Sequence, residues 1–163
     1  MSARRSHDVR LRLTTLDDIE RLFQIQLDPL ANTLAGTKPR DRAAFEALWA
    51  TVLSASPAEG YVPRTIVADD RLAGSIGVFK RDERSEIGYW IAREHWGQGI
   101  ATRALSLMLE EVRARPLFAS VVSHNDASLR VLARNGFVQV TRQHCSETER
   151  YLAGEVITLR LDS

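Results

Sequence analysis

The chain has 163 residues, 44% of them hydrophobic and 26% charged, which predicts a single globular domain over residues 1–163 with a sizeable core. Its formal net charge of +1 gives no reason to expect nucleic acid or an anionic membrane as a partner. The basic N-terminus lacks the apolar region of a secretory signal, no stretch approaches the ~20 apolar residues of a membrane span, and Cys145 is the one cysteine, so we expect a cytoplasmic protein without a metal cluster.

The first half of the chain predicts a strand, two helices and three further strands. Residues 9–13 alternate apolar and basic side chains, as a strand does. Thr15 and Asp18 have the spacing of a capping box at the start of a helix. The apolar stripe of this helix is Leu16, Ile19, Leu22, Phe23 and Leu27. Residues 28–41 are predicted to be a long loop.

A second helix and a three-strand meander follow this loop. The apolar face of the helix consists of Phe45, Leu48, Trp49, Val52 and Leu53. The strands cover residues 64–68, 72–80 and 86–92, and polar turns at residues 69–71 and 81–85 join them.

The second half predicts a helix, a strand, a short helix and a final hairpin. Apolar residues recur at helical spacing from Ala101 to Val112, and Pro116 enforces the end of that helix. Residues 117–123 are continuous and apolar, as in a buried strand. A helix capped by Asn125 or Asp126 ends at Gly136, and two strands then flank a turn at residues 152–155.

This order of elements predicts the fold class. The strand–helix–strand unit over residues 86–123 places its two strands parallel, whereas the surrounding hairpins are antiparallel. The chain is therefore expected to form an α/β fold with a mixed, mostly antiparallel sheet of six to seven strands and helices on both faces.

Three small residues mark the turn between the meander and the next helix. Gly97, Gly99 and Ala101 alternate along the chain, and backbone N–H groups of such a turn can bind phosphate at a helix N-terminus. A P-loop is excluded because no lysine follows Gly99, and the spacing differs from that of a dinucleotide fold. From the glycines alone, a tight turn without a ligand remains an equal alternative.

Two linked motifs extend this pattern. The first runs from Trp96 to Ala101, and the second comprises Asn125, Ser128, Gly136 and Phe137. Together, within residues 86–137, they resemble the GNAT acetyltransferase superfamily, and in particular its ribosomal-protein N-terminal acetyltransferase branch. Trp96 stands where the family motif begins with Gln or Arg.

The resemblance implies acetyl transfer from acetyl-CoA to a primary amine, on a protein N-terminus or a small molecule, by direct attack in a ternary complex. The family splays its fourth and fifth strands, here residues 87–92 and 117–123, to hold the coenzyme. The implied coenzyme-binding residues are Ile91, Trp96, Gly97, Gln98, Gly99, Ile100, Ala101, Thr102, Asn125 and Ser128. The N–H near Ile91 is the implied donor to the oxyanion.

The implied catalytic residues are less sharply defined. Glu147, Glu149 and Glu86 are the candidates for the general base, and Ser128 is the candidate acid because Leu132 stands where many members have a tyrosine. Acidic residues near the last hairpin (Glu147, Glu149 and Glu155) would suit a cationic acceptor, although nearby arginines could neutralise them. The alternative function is an inactive, CoA-binding regulatory module. No metal is expected, and a homodimer is compatible with the sequence.

Overall fold

The computed structural model describes residues 6–163, which form seven strands, five α-helices and three short 3-10 turns. The strands are β1 (Val9–Arg12), β2 (Val62–Ala68), β3 (Arg71–Arg81), β4 (Arg84–Ile91), β5 (Leu117–Val122), β6 (Val138–Cys145) and β7 (Gly154–Leu161). The helices are α1 (Ile19–Gln26), α2 (Pro29–Ala35), α3 (Arg42–Ser54), α4 (Ile100–Glu111) and α5 (Asp126–Arg134). The 3-10 turns cover Leu16–Asp18, Pro57–Glu59 and Arg93–His95.

All seven strands join one sheet in the order β1-β2-β3-β4-β5-β7-β6. Every neighbouring pair is antiparallel except β4 and β5, which run parallel on either side of α4 in the chain. The predicted mixed sheet, its parallel pair and the class of the fold are therefore confirmed. The β2–β3 and β3–β4 turns each place two residues at positive φ: Asp69 and Asp70 in the first, Asp82 and Glu83 in the second.

Residues 28–41 were predicted to be a loop. This prediction is wrong in part, because the segment contains α2. The Asp28 carboxylate caps this helix by accepting from the Ala31 N–H at 3.0 Å, and Pro29 occupies the first helical position. Gly36, with φ of +65°, ends the helix. These local capping contacts decide the conformation, although the segment is too short to show a helical apolar period.

Two apolar clusters pack on the sheet. The larger cluster includes Ile100, Leu105 and Met108 of α4 together with Leu132 of α5. The smaller one contains Phe23 of α1 and Phe45 of α3. Trp90 of β4 packs on this second cluster, and its Nε1 donates to the Ile25 carbonyl at 3.2 Å. Helices α1 and α3 therefore lie on the face of the sheet to which Trp90 points. Because successive residues of a strand point to opposite faces, Tyr89 and Ile91 point to the other face, where α4 and α5 pack.

The predicted apolar faces of the first two long helices are wrong in part. Leu16 and Leu27 are 77% and 39% exposed, because Leu16 lies in a 3-10 turn with a different helical phase and α1 ends before Leu27. In α3 Phe45 is buried, whereas Leu48 is exposed.

The final connection is also longer than predicted. Residues 146–153 separate β6 from β7, so Glu147 and Glu149 lie in a loop.

Candidate functional site

The parallel strands β4 and β5 separate soon after they meet. They pair at Ser85–Leu117 and Glu86–Phe118 only. Beyond these two rungs, β4 stays paired with β3 through Ile91, and β5 stays paired with β7 through Val122. The two strands therefore splay apart and leave a gap, as the family resemblance predicts.

The register of β4 determines which backbone groups face this gap. The Ala92 N–H donates to the Ala73 carbonyl directly opposite at 2.8 Å. Because hydrogen-bonded and non-hydrogen-bonded pairs alternate in an antiparallel ladder, Tyr89 and Ile91 direct their N–H and carbonyl groups away from β3 and into the gap. Trp96 Nε1 donates to the Ile91 carbonyl at 2.8 Å, so the Ile91 N–H is left as the donor.

The loop before α4 presents a row of unused donors. Within residues 6–163, the backbone N–H groups of residues 98–102 donate no hydrogen bond. They add to the positive end of the helix dipole. Gly97 and Gly99 have φ of +71° and +77°, and a Cβ built on either glycine would meet no atom within 4 Å. The loop is thus an open cradle that a side chain would fill, and it fits a pyrophosphate group.

The other loop residues that were predicted to bind the coenzyme also contact the protein itself. Trp96 is half-buried and fixes the start of the loop through its bond to Ile91. Gln98 Nε2 donates to the Glu94 carbonyl at 3.0 Å. Ile100 is buried in the core, which anchors the first turn of α4, and Ala101 packs at the edge of that core. Thr102 is half-buried on the same turn.

The N-terminus of α5 lies beside β4. Asn125 caps this helix, because its Oδ1 accepts from the Ser128 N–H at 3.3 Å. The Ser128 hydroxyl lies 2.7 Å from the Tyr89 hydroxyl. Burial raises the pKa of Tyr89 to about 12, while the bond to Ser128 opposes the rise. At neutral pH Tyr89 therefore carries a proton.

Sequence reasoning did not single out Tyr89 as a candidate proton donor. Its position in β4 offers the available signal, because Tyr89 alternates with Ile87 and Ile91 and must face the same side of the sheet. The sequence alone does not show that this side meets the start of α5.

The three carboxylates predicted as base candidates lie in different surroundings. Glu86 is 1% exposed, with its carboxylate 2.7 Å from Arg84 Nη2 and 3.4 Å from Arg81 Nη1. Glu147 is exposed and ion-paired with Lys38 at 2.7 Å, and this hydrogen bond lowers its pKa. Glu149 is exposed in the same loop. Glu86 is the candidate that lies on the sheet next to the gap.

Comparison with known proteins decides the family. Residues 8–138 match the family described as Acetyltransferase (GNAT) domain. The chain belongs to the GNAT acetyltransferase family. A curated relative from Bacillus subtilis strain 168, the probable N-acetyltransferase YjcK, is 33% identical over 78 residues. That alignment spans 43% of this chain and 43% of the relative, less than half of its length.

Solved structures share the GNAT fold over nearly the whole chain. Mycobacterium smegmatis RimJ in complex with CoA-disulfide is 21% identical with a TM-score of 0.77, covering 95% of this chain and 82% of RimJ. The acetyltransferase yncA from Salmonella typhimurium, with its cofactor acetyl-CoA, is 16% identical with a TM-score of 0.75, covering 94% of this chain and 93% of yncA. These structures share the fold, and the family match over residues 8–138 confirms the predicted family.

Among residues 6–163, no group of three or more His, Cys, Asp or Glu side chains could hold a metal ion. In the same part of the chain, the helices are too short or too polar for any of them to cross a membrane.

Proposed function

We propose that this chain transfers an acetyl group from acetyl-CoA to a primary amine, on a protein N-terminus or a small molecule, by direct attack in a ternary complex. One observation carries the proposal. The unused N–H groups of residues 98–102 lie at the end of β4, the strand that splays from its parallel neighbour. The cradle would bind a pyrophosphate, and the gap would bind an extended arm with amide groups.

The backbone of β4 would align and polarise the thioester. The Tyr89 N–H and carbonyl groups that face the gap can pair with the amides of the pantetheine arm as another strand would. The Ile91 N–H would donate to the carbonyl oxygen, which gains negative charge as the amine attacks. Oxyanion donors of this kind contribute roughly 10²–10³ in rate.

Tyr89 would supply a proton to the departing thiolate. The phenol is half-buried and keeps its proton at neutral pH, with Ser128 accepting from or donating to it at 2.7 Å. The Tyr89–Ser128 pair would therefore take the place of the tyrosine that many family members have at the position of Leu132. Ser128 then holds and orients the phenol and joins the proton path.

Removal of the proton from the attacking amine does not require a strong general base. An α-ammonium group has a pKa near 7.7–8.0, so roughly a tenth of it is neutral at pH 7 and about half at pH 8, and a water chain suffices. Glu86, with both oxygens facing arginines, is placed to hold those arginines beside the gap and is the base candidate nearest to it. The loop carboxylates Glu147 and Glu149 remain alternatives.

The test is a measurement of turnover together with coenzyme binding. The protein is incubated with acetyl-CoA and a panel of amino acids, peptides and diamines, and release of the CoA thiol is recorded. Binding of CoA is measured separately by calorimetry. We expect binding together with thiol release that depends on the acceptor.

Each unfavourable outcome has a distinct meaning. If CoA binds and no amine is acetylated, the chain is a CoA-binding module and the proposed activity is wrong. If CoA does not bind, the cradle is a turn without a ligand and both functions fail.

A further inference from the structure

Four arginines lie close together on the α1–α3 face of the sheet: three surround Tyr151, and the fourth, Arg84, is linked to Arg81 through Glu86. They are Arg40, Arg81, Arg84 and Arg150, and we call them the arginine cluster. The guanidinium carbons of Arg81 and Arg150 lie 5.9 and 6.0 Å from the ring centre of Tyr151. Arg81 Nη2 also donates to the Tyr151 hydroxyl at 3.2 Å.

Two connections hold the cluster together. The segment after α2 pairs with the β6–β7 loop, where the Lys38 N–H donates to the Arg150 carbonyl at 2.8 Å and Thr37 forms a bridge with Tyr151. The positive charge of Arg40 is near enough to Arg150 to lower the pKa of its guanidinium group. The cluster therefore draws on three separate parts of the chain.

The cluster is short of negative charge. Its buried carboxylate is Glu86, which faces Arg81 and Arg84, and the Asp82 charge reaches Arg81 from the exposed turn. Within residues 6–163, Arg40 and Arg150 have no carboxylate partner. The acidic residues of the last hairpin do not supply one, because Glu147 pairs with Lys38 and Glu155 pairs with Arg142.

Arg40 and Arg150 are also partly withdrawn from water. Burial lowers the pKa of both side chains, and the Arg40 charge lowers that of Arg150 further. Arg150 Nη1 donates to the Lys38 carbonyl, yet its Nε is fully buried and has no hydrogen-bond partner. Two unpaired, partly buried cations beside each other cost free energy unless an anion joins them.

The cluster borders the gap between β4 and β5. Glu86 and Phe118 form the last rung before the strands separate, and the Arg84 guanidinium lies 4.7 Å above the Phe118 ring. Glu86 shares a face with Trp90, which contacts α1. Ser120, two residues beyond Phe118, is exposed on that face. Tyr89 lies on the opposite, α5 side of the gap.

We infer that the acceptor carries a carboxylate or phosphate group, which the arginine cluster binds while the amine of the acceptor faces the gap. This inference rests on the proposed function. Guanidinium groups bind both anions through paired, charge-assisted hydrogen bonds. A cationic acceptor such as a polyamine would meet like charges here.

The first experiment measures anion binding without turnover. The protein is saturated with CoA, which occupies the cradle before α4, and inorganic phosphate is titrated in by calorimetry. We expect phosphate to bind, and Arg40→Gln and Arg150→Gln each to weaken it by about tenfold or more. Arg134→Gln is the matched control, because Arg134 is exposed on α5 and forms no ion pair within residues 6–163.

The second experiment compares acceptors that differ in one charge. Alanine is paired with alaninamide, and phosphoethanolamine with ethanolamine, so that the two pairs separate carboxylate from phosphate recognition. We expect kcat/KM at least tenfold higher for the anionic member of one pair. Arg40→Gln should remove that preference while Arg134→Gln keeps it.

The outcomes separate this inference from the proposed function. Absence of phosphate binding, or binding unchanged in both cluster variants, overturns the inference. Equal or faster acetylation of the uncharged members also overturns it. If CoA binds and none of these amines or the wider panel reacts, the proposed function fails, and the phosphate titration alone decides whether the cluster binds anions.

Discussion

At the scale of single residues, the pair formed by Tyr89 and Ser128 yields a direct prediction. If the half-buried phenol protonates the thiolate, Tyr89→Phe should lower kcat by about 10²-fold, within the usual range for general acid catalysis. CoA affinity should change little, because the variant keeps the ring. Steady-state kinetics and calorimetry measure the two quantities.

Tyr61→Phe provides the control for that substitution. Tyr61 is also half-buried but lies just before β2, away from α5, so the same chemical change should leave kcat unaltered. Ser128→Ala keeps the phenol and removes its partner, and we expect a smaller loss than for Tyr89→Phe. A Tyr89→Phe enzyme with the rate of the original protein would exclude the phenol as the acid.

At the scale of elements, sequence reasoning succeeds where the local pattern is strong. The helical spacing of Ala104, Leu105 and Met108 identifies α4, and all three are buried. It fails for α2, whose seven residues are set by the Asp28 cap and Gly36 rather than by periodicity. The pairing of that segment with Tyr151 is a long-range contact, which no local pattern reveals.

The loop before α4 is the element on which coenzyme binding depends. Gly99→Ala should weaken CoA binding roughly tenfold, because the new methyl group would enter the open space in front of the N–H groups. The positive φ of Gly99 adds backbone strain of about 1 kcal/mol. Calorimetry gives the affinity, and thermal unfolding of the CoA-free protein gives the strain.

Gly60→Ala is a control that introduces backbone strain outside the coenzyme-binding loop, and so separates the effect of strain from the loss of contact with CoA. Gly60 has φ of +84°, at a turn before β2, and its new methyl group would meet the flexible Lys80 side chain. This variant should lose stability yet bind CoA as the original protein does. A Gly99→Ala protein with unchanged CoA affinity would show that the loop is only a turn.

At the scale of the whole molecule, the order of elements was sufficient to predict the mixed sheet, because one helical crossover forces β4 and β5 to be parallel. The arginine cluster could not be predicted in this way. Arg40, Arg81 and Arg150 are far apart in the sequence, and they meet only after α2 and the last hairpin pack together. The family resemblance points instead to Glu147, which is paired with Lys38.

Stability of the whole molecule should depend on Asp18, which joins β1, the first 3-10 turn and β2. Asp18 is 5% exposed, and its carboxylate accepts from Arg12 at 2.7 and 2.8 Å, from the Thr15 N–H at 2.9 Å and from the Thr65 hydroxyl at 3.0 Å. The bonds from Arg12, opposed by burial and aided by Thr15 and Thr65, lower the pKa of Asp18 from 3.8 to about 2. A shift of this size corresponds to about 2 kcal/mol of folding free energy.

Because the pKa of Asp18 is lower in the folded state, its contribution is complete above pH ~5 and is lost as the pH falls towards 2. Asp18→Asn should therefore reduce the free energy of unfolding by about 2 kcal/mol at pH 7, and the difference from the original protein should shrink between pH 5 and pH 2. Denaturant unfolding across this range measures it. Asp17→Asn, at the exposed neighbouring position, should change the stability by less than about 0.5 kcal/mol. A difference between the Asp18 variant and the original protein that stays constant with pH would mean that packing, rather than the ionised carboxylate, accounts for the loss.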